Sequence, residues 1–141
     1  MCGFVGYVNQ TDVQDEVIEK MANRIRHRGP DDEAFFRDNN VSMGFRRLSI
    51  IDLAHGKQPM YNQDQTKVLT FNGEIYNFKP LRKELIDAGH TFTTKADTEV
   101  LLHGYEEWGM DGLLKRVRGM FAFVIWDDNT KTLYGARDFF G

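Results

Sequence analysis

The chain of 141 residues predicts an α+β fold with antiparallel strand pairing. Three stretches place apolar residues at helical spacing, and several short runs of β-branched and aromatic residues lie between turn signals. The two kinds of segment do not alternate strictly, which argues against repeated βαβ units and a parallel sheet.

Gly3 to Val8 (GFVGYV) reads as a short buried strand, its glycines marking close approach of neighbouring backbone. Val13, Val17, Ile18, Met21, Ala22 and Ile25 then recur at helical spacing, with Thr11 and Gln14 as a capping box and Gly29-Pro30 as the stop. Ala34 to Arg37 and Val41 to Phe45 are strand-like and flank the turn Asp38-Asn39-Asn40. Lys67 to Phe71 is a further strand, expected to end at Asn72-Gly73. A second helix is expected after Asn77, with Pro80 in its first turn, Leu81, Leu85 and Ile86 on its apolar face, and Gly89 at its end. The third should run from Thr98 to Trp108 behind Asp97, with Val100, Leu101 and Tyr105 facing inward. Phe121 to Trp126 and Thr132 to Arg137 form a hairpin around Asp127-Asp128-Asn129-Thr130. The strand-like run just before Gly141 suggests a sheet that continues beyond it.

Composition narrows the function classes. With 41% hydrophobic and 13% aromatic residues the chain can build one core, which excludes a mainly disordered protein. A net charge of −3 offers no general attraction to nucleic acid or to an anionic membrane. The longest apolar run, Met120 to Trp126, is too short to span a bilayer. A single cysteine excludes an internal disulfide framework and fits a reducing cytoplasm, and no signal peptide precedes it.

That cysteine stands at position 2. Its side chain is small enough for Met1 to be removed by methionine aminopeptidase, which would leave a thiol and a free α-amine on one residue. The thiol titrates near ~8.5 and the amine near ~7.7–8.0, so the amine can accept the thiol proton around neutral pH. Nucleophile and base would be complete within Cys2. The competing reading is a stray thiol near a frayed terminus.

Attack on a carbonyl needs donors for the oxyanion. Asn72-Gly73 can supply a side-chain amide and a backbone N–H, each such donor typically supporting ~10²–10³ in rate. Asn-Gly is also the strongest hairpin-turn signal, although Glu74-Ile75-Tyr76-Asn77 leads towards a helix rather than a returning strand. Arg47 can hold a carboxylate in bidentate fashion or be a surface cation. Asp97 and Glu74 can receive an ammonium, or be a helix cap and a solvated charge respectively. Arg24, Arg26, His27 and Arg28 complement the end of the first helix. His27, His55, His90 and His103 lack metal-ligand spacing, so no metal is expected, and no glycine-rich phosphate loop is present.

Seven strings, in order along the whole chain, resemble one family: Cys2-Gly3, Arg26-His27-Arg28-Gly29-Pro30-Asp31, Arg47-Leu48-Ser49-Ile50, Phe71-Asn72-Gly73-Glu74-Ile75-Tyr76-Asn77, Asp97-Thr98-Glu99, Gly119-Met120-Phe121-Ala122-Phe123 and Arg137-Asp138. They resemble the class II glutamine amidotransferase domain at the N-terminus of glutamine-hydrolysing asparagine synthetases. The resemblance implies an N-terminal-nucleophile (Ntn) hydrolase fold, an αββα sandwich of two antiparallel sheets between helical layers, with residues 1–141 forming part of that domain. It implies Cys2 as nucleophile and Asn72 and Gly73 as oxyanion hole. Arg47, Leu48, Ser49, Ile50 and Ile51 would line the glutamine pocket, with Glu74 and Asp97 on the α-amino group. The implied reaction is hydrolysis of L-glutamine to glutamate and ammonia through a γ-glutamyl thioester. The resemblance assigns no cofactor to these residues and places ATP and Mg in a synthetase domain outside them, where aspartate would be amidated. An unpaired sheet edge would favour a homodimer. Two other readings of the chain are an amidotransferase serving a different acceptor and a non-catalytic glutamine-binding module.

Overall fold

The computed structural model describes residues 2–8, 15–48 and 56–141. Two antiparallel sheets lie between helical layers, as the αββα reading requires. The first sheet contains β1 (Gly3–Val8), β2 (Asp32–Arg37) and β3 (Val41–Arg47) in the order β1-β3-β2. The second contains β4 (Met60–Tyr61), β5 (Lys67–Ile75), β6 (Gly119–Asp127) and β7 (Thr132–Arg137) in sequence order. Helix α1 (Glu16–Arg24) packs on β1 and β3, whereas α2 (Phe78–Asp87) and α3 (Thr98–Arg116) pack together on the β5 side.

Strand periodicity builds the layers. On β3 the odd residues Val41 and Met43 meet Val68 and Trp126 of the second sheet in one buried cluster. The even residue Arg46 turns the other way, donating to the Ala22 carbonyl at 3.3 Å and to Asn23 Oδ1 at 2.6 Å on α1. Alternation along β5 divides the second sheet likewise. Leu69 and Phe71 join the main core with Leu85, Leu101 and Leu102 of the helices, while Val68 faces the first sheet.

Several expectations are corrected. β5 does not end at Asn72-Gly73, because pairing with β6 continues through Gly73↔Phe121 to Ile75↔Gly119. β1 is only partly buried rather than a buried strand, since it is an outer strand of its sheet. Ile86 is 48% exposed, and only Leu81 and Leu85 of the expected α2 face are buried. The expected helix end at Trp108 stands, because Gly109 at φ 67° breaks the helix there, and a second helical stretch continues α3 to Arg116. The expected capping box at Thr11 and Gln14 lies outside the described residues. The short strand β4 and the 3-10 turn Arg26–Arg28 add to the expected elements. Among the described residues no helix is long and apolar enough to cross a membrane.

A buried polar contact ties α3 to the end of β6. Tyr105 donates its hydroxyl to Asp127 at 2.7 Å, and Asp127 also accepts the Asn129 N–H at 3.0 Å, fixing the β6–β7 turn. Burial and this carboxylate both push the phenol well above its usual range. Tyr105→Phe leaves the buried carboxylate short of one donor and should cost about 1–3 kcal/mol in urea unfolding, a loss that Asp127→Asn in the same chain should partly absorb.

Candidate active site

Cys2 immediately precedes β1. The β1–β3 register pairs Gly3 with Arg46, so Cys2 falls opposite Arg47. Opposed residues of an antiparallel pair share a face, and the odd residues of β3 face the second sheet. Cys2 and Arg47 are therefore directed into the space between the sheets. Asn72 lies on β5 at the same parity as Val68 and is directed into that space from the opposite side.

Cys2 is half-buried. Its Sγ accepts the Leu48 N–H at 3.5 Å, while its carbonyl accepts Arg28 Nε at 3.2 Å. The Arg26–Asp31 segment thereby gains a local explanation. Gly29 lies against the backbone of Arg46 and Arg47, where a Cβ would overlap the chain, and the Asp31 N–H donates to the Arg47 carbonyl at 3.1 Å. These contacts fix the end of β3 beside Cys2. Within the basic cluster, Arg28 holds the Cys2 backbone.

Arg47 lines a cavity of about 200 Å³ together with Asp32, Phe45, Lys57 and Gln58. Sequence reasoning missed Gln58. Its side-chain amide donates to the Phe71 carbonyl at 2.9 Å and accepts the Phe71 N–H at 2.5 Å, gripping β5 one residue before Asn72. A glutamine in a loop gives no periodic signal, so only the fold shows this. Leu48 is half-buried beside Cys2, and Ser49, Ile50 and Ile51 lie outside the described residues.

Gly73 has φ 145°, and a Cβ there would run into the backbone of Met120 and Phe121. Glycine is thus required by both conformation and space. Glu74 is exposed. Asp97 occupies the N-cap position of α3 but makes no side-chain cap; its Oδ2 instead accepts the Ile75 N–H at 2.8 Å, bringing the carboxylate to the end of β5. Burial pushes the Asp97 carboxyl above the usual carboxylate value, and the nearby Glu74 charge adds to this, while N–H bonds from Ile75 and Thr98 oppose it. The two carboxylates thus lie close enough to repel each other, and a cation between them would lower that repulsion.

The histidines depart from expectation. Thirteen positions separate His90 from His103, yet the fold brings their Nδ1 atoms to 3.2 Å of each other, with Glu106 beside both.

Two antiparallel sheets between helical layers, with Cys2 at the start of β1 and Asn72 on the facing side of β5, have the architecture of an N-terminal-nucleophile amidotransferase. The chain matches the family "Glutamine amidotransferase domain" over residues 1–141 and belongs to it. It is 52% identical to asparagine synthetase [glutamine-hydrolyzing] 1 of Bacillus subtilis, covering 100% of this chain and 23% of that protein. Asparagine synthetase [glutamine-hydrolyzing] 2 of the same organism is 42% identical, with 19% of its length covered. The chain thus spans about a fifth to a quarter of these relatives. Among solved structures, a glutamine phosphoribosylpyrophosphate amidotransferase from B. subtilis aligns at TM-score 0.66 and 19% identity, over 90% of this chain and 35% of that one. An allosteric regulatory enzyme of purine biosynthesis aligns at TM-score 0.57 and 26% identity, over 72% and 24%.

A carboxyl whose pKa is raised on folding favours the protonated form in the folded state. That contribution is complete below the unfolded carboxylate pKa and is lost as pH rises through the folded value. Measured by urea unfolding across the acidic range, the native chain should lose stability with rising pH relative to Asp97→Asn, whose amide oxygen keeps the Ile75 bond. Parallel curves for the two would contradict the raised value. Gly73→Ala should lower the melting temperature by several degrees, since backbone on β6 must move to admit the methyl group.

Proposed function

We propose that the chain hydrolyses L-glutamine to glutamate and ammonia, with Cys2 as the nucleophile once Met1 has been removed. The observation that supports this reading is strand register, which with side-chain alternation directs Cys2, Arg47 and Asn72 towards the space between the two sheets.

The Cys2 α-amine takes the thiol proton, and the thiolate attacks the glutamine side-chain carbonyl carbon. The Asn72 side chain and the Gly73 N–H receive the developing oxyanion. Alternation along β5 supports the second donor. The N–H groups of Phe71 and Ile75 are taken by Gln58 and Asp97 on the strand's outer edge, and Gly73 lies between them at the same parity. The ammonium form of the terminal amine returns the proton to the leaving nitrogen, the C–N bond breaks, and ammonia departs. Water, deprotonated by the same amine, cleaves the γ-glutamyl thioester to glutamate and restores the thiol.

Arg47 pairs with the substrate α-carboxylate in this scheme, and Asp97 with Glu74 receives the α-ammonium. Such a set reads the free ends of an amino acid and leaves charges unpaired when glutamine sits within a peptide. In a protein organised like its relatives, the ammonia would pass to an ATP- and Mg-dependent synthetase segment outside these residues for amidation of aspartate. None of the residues here is assigned to those cofactors.

Glutamate release, measured beside intact mass to verify loss of Met1, tests the proposal. Cys2→Ala should fall to background, and Asn72→Ala should lower kcat by about 10²–10³. Arg47→Ala should raise KM with a smaller change in kcat. Equal rates for the native chain and Cys2→Ala would leave only a glutamine-binding module. Since Asp97 must be ionised to receive an ammonium, affinity for glutamine should fall on acidification at a higher pH than for an ordinary carboxylate.

A further inference from the structure

On the helical side of the second sheet, the segment following α2 meets the first half of α3 at a cluster that the glutaminase reading does not use. His90 Nδ1 and His103 Nδ1 lie 3.2 Å apart. Glu106 Oε2 lies 3.4 Å from His103 Nδ1 and 3.8 Å from His90 Nδ1. We propose that His90, His103 and Glu106 bind a divalent transition metal of the zinc class through this triangle of two imidazole nitrogens and one carboxylate oxygen.

The geometry suits such an ion. Ligands at about 2.0–2.1 Å from a tetrahedral zinc are separated from one another by about 3.3–3.4 Å. Three edges of 3.2, 3.4 and 3.8 Å bracket that separation. A cavity of about 240 Å³, lined by Asn62, Asp64, His90, His103 and Glu106 among others, opens onto the cluster and gives a fourth position access to water.

The outer partners are those of a metal site. His90 Nε2 lies 2.8 Å from Glu107 Oε2, and His103 Nε2 lies 3.3 Å from Glu99 Oε1. A carboxylate only accepts, so each Nε2 carries a hydrogen, and a ring with no second proton presents its Nδ1 lone pair to the cluster. Carboxylate–histidine pairs of this kind fix the tautomer and orientation of metal-bound imidazoles. Glu106 is oriented too, its Oε1 receiving Asn62 Nδ2 at 2.6 Å. Glu99 is anchored by the N–H groups of Thr93 and Thr94 at 2.8 and 2.7 Å.

Charge points the same way. Glu99, Glu106 and Glu107 surround the two rings, and Lys67 acts as a cation on Glu106. With neutral histidines the cluster holds an excess of negative charge that a dication offsets. A proton shared between the two Nδ1 atoms is the rival way to separate the lone pairs, and the experiment distinguishes the two.

The chain carrying Cys2→Ala, which removes the thiol as an alternative ligand, is stripped with chelator and titrated with zinc chloride. Calorimetry and metal analysis should give one zinc per chain. The imidazole nitrogen NMR signals of His90 and His103 should both shift at Nδ1 on zinc addition, and cobalt substitution should give visible absorption of tetrahedral intensity. Glu107→Gln should weaken binding by about 10–100-fold. Glu106→Gln, which keeps the Asn62 contact, and the more exposed His90→Gln should weaken it further. Circular dichroism identifies any variant that has lost its fold, and if His103→Gln is one of these, Glu106→Gln and Glu107→Gln decide the question. Absence of stoichiometric binding, binding unchanged in His90→Gln and Glu106→Gln, or Nδ1 signals that respond to acid but not to zinc would each overturn the proposal.

Discussion

Side-chain alternation in two facing sheets is the constraint on which the candidate active site rests. Cys2, Arg47 and Asn72 come from three separate stretches, and nothing local brings them together. Pairing of β1 with β3 puts Cys2 opposite Arg47, and packing of Val41 and Met43 against Val68 and Trp126 decides which faces meet. Because the strand period is two, a slip of one residue in β1 would turn the thiol towards α1. The Arg26–Asp31 segment resists such a slip. Its Gly29 fits only against the backbone at 46 and 47, and Arg28 holds the Cys2 carbonyl.

The site combines rigid neutral parts with charges kept at moderate desolvation. Asp97 sits where burial and Glu74 both raise its carboxyl, while the Ile75 N–H holds it in place. Under the proposed reading, an ammonium placed between the acids would offset both effects. The main core beneath, from Leu69 and Phe71 to Leu101 and Leu102, supplies the stiffness that this arrangement requires.

Most elements are legible in the sequence because their signals are local. Leu81 and Leu85, or Val100 and Leu101, repeat at helical spacing and are buried as that spacing demands. Cys2, Asn72, Gly73, Arg47 and Asp97 are recognisable from ordered motifs. What escapes a reading of the residues depends on tertiary contact. The continuation of β5 beyond Asn72 needs β6 as its partner, and Ile86 stays exposed because the core covers only a narrow stripe of α2. Gln58 and His90 carry no spacing rule, since loop segments bring them to their partners on β5 and α3.

The Gln58 amide has one more implication. By presenting an N–H and a carbonyl to Phe71, it imitates one peptide unit of a strand that β4 is too short to supply. Asp97 closes the same edge at Ile75. Among the described residues the open stretch of ladder is therefore a single residue wide and belongs to Gly73, a width too small for an extended polypeptide to zip onto but sufficient for a lone oxygen atom.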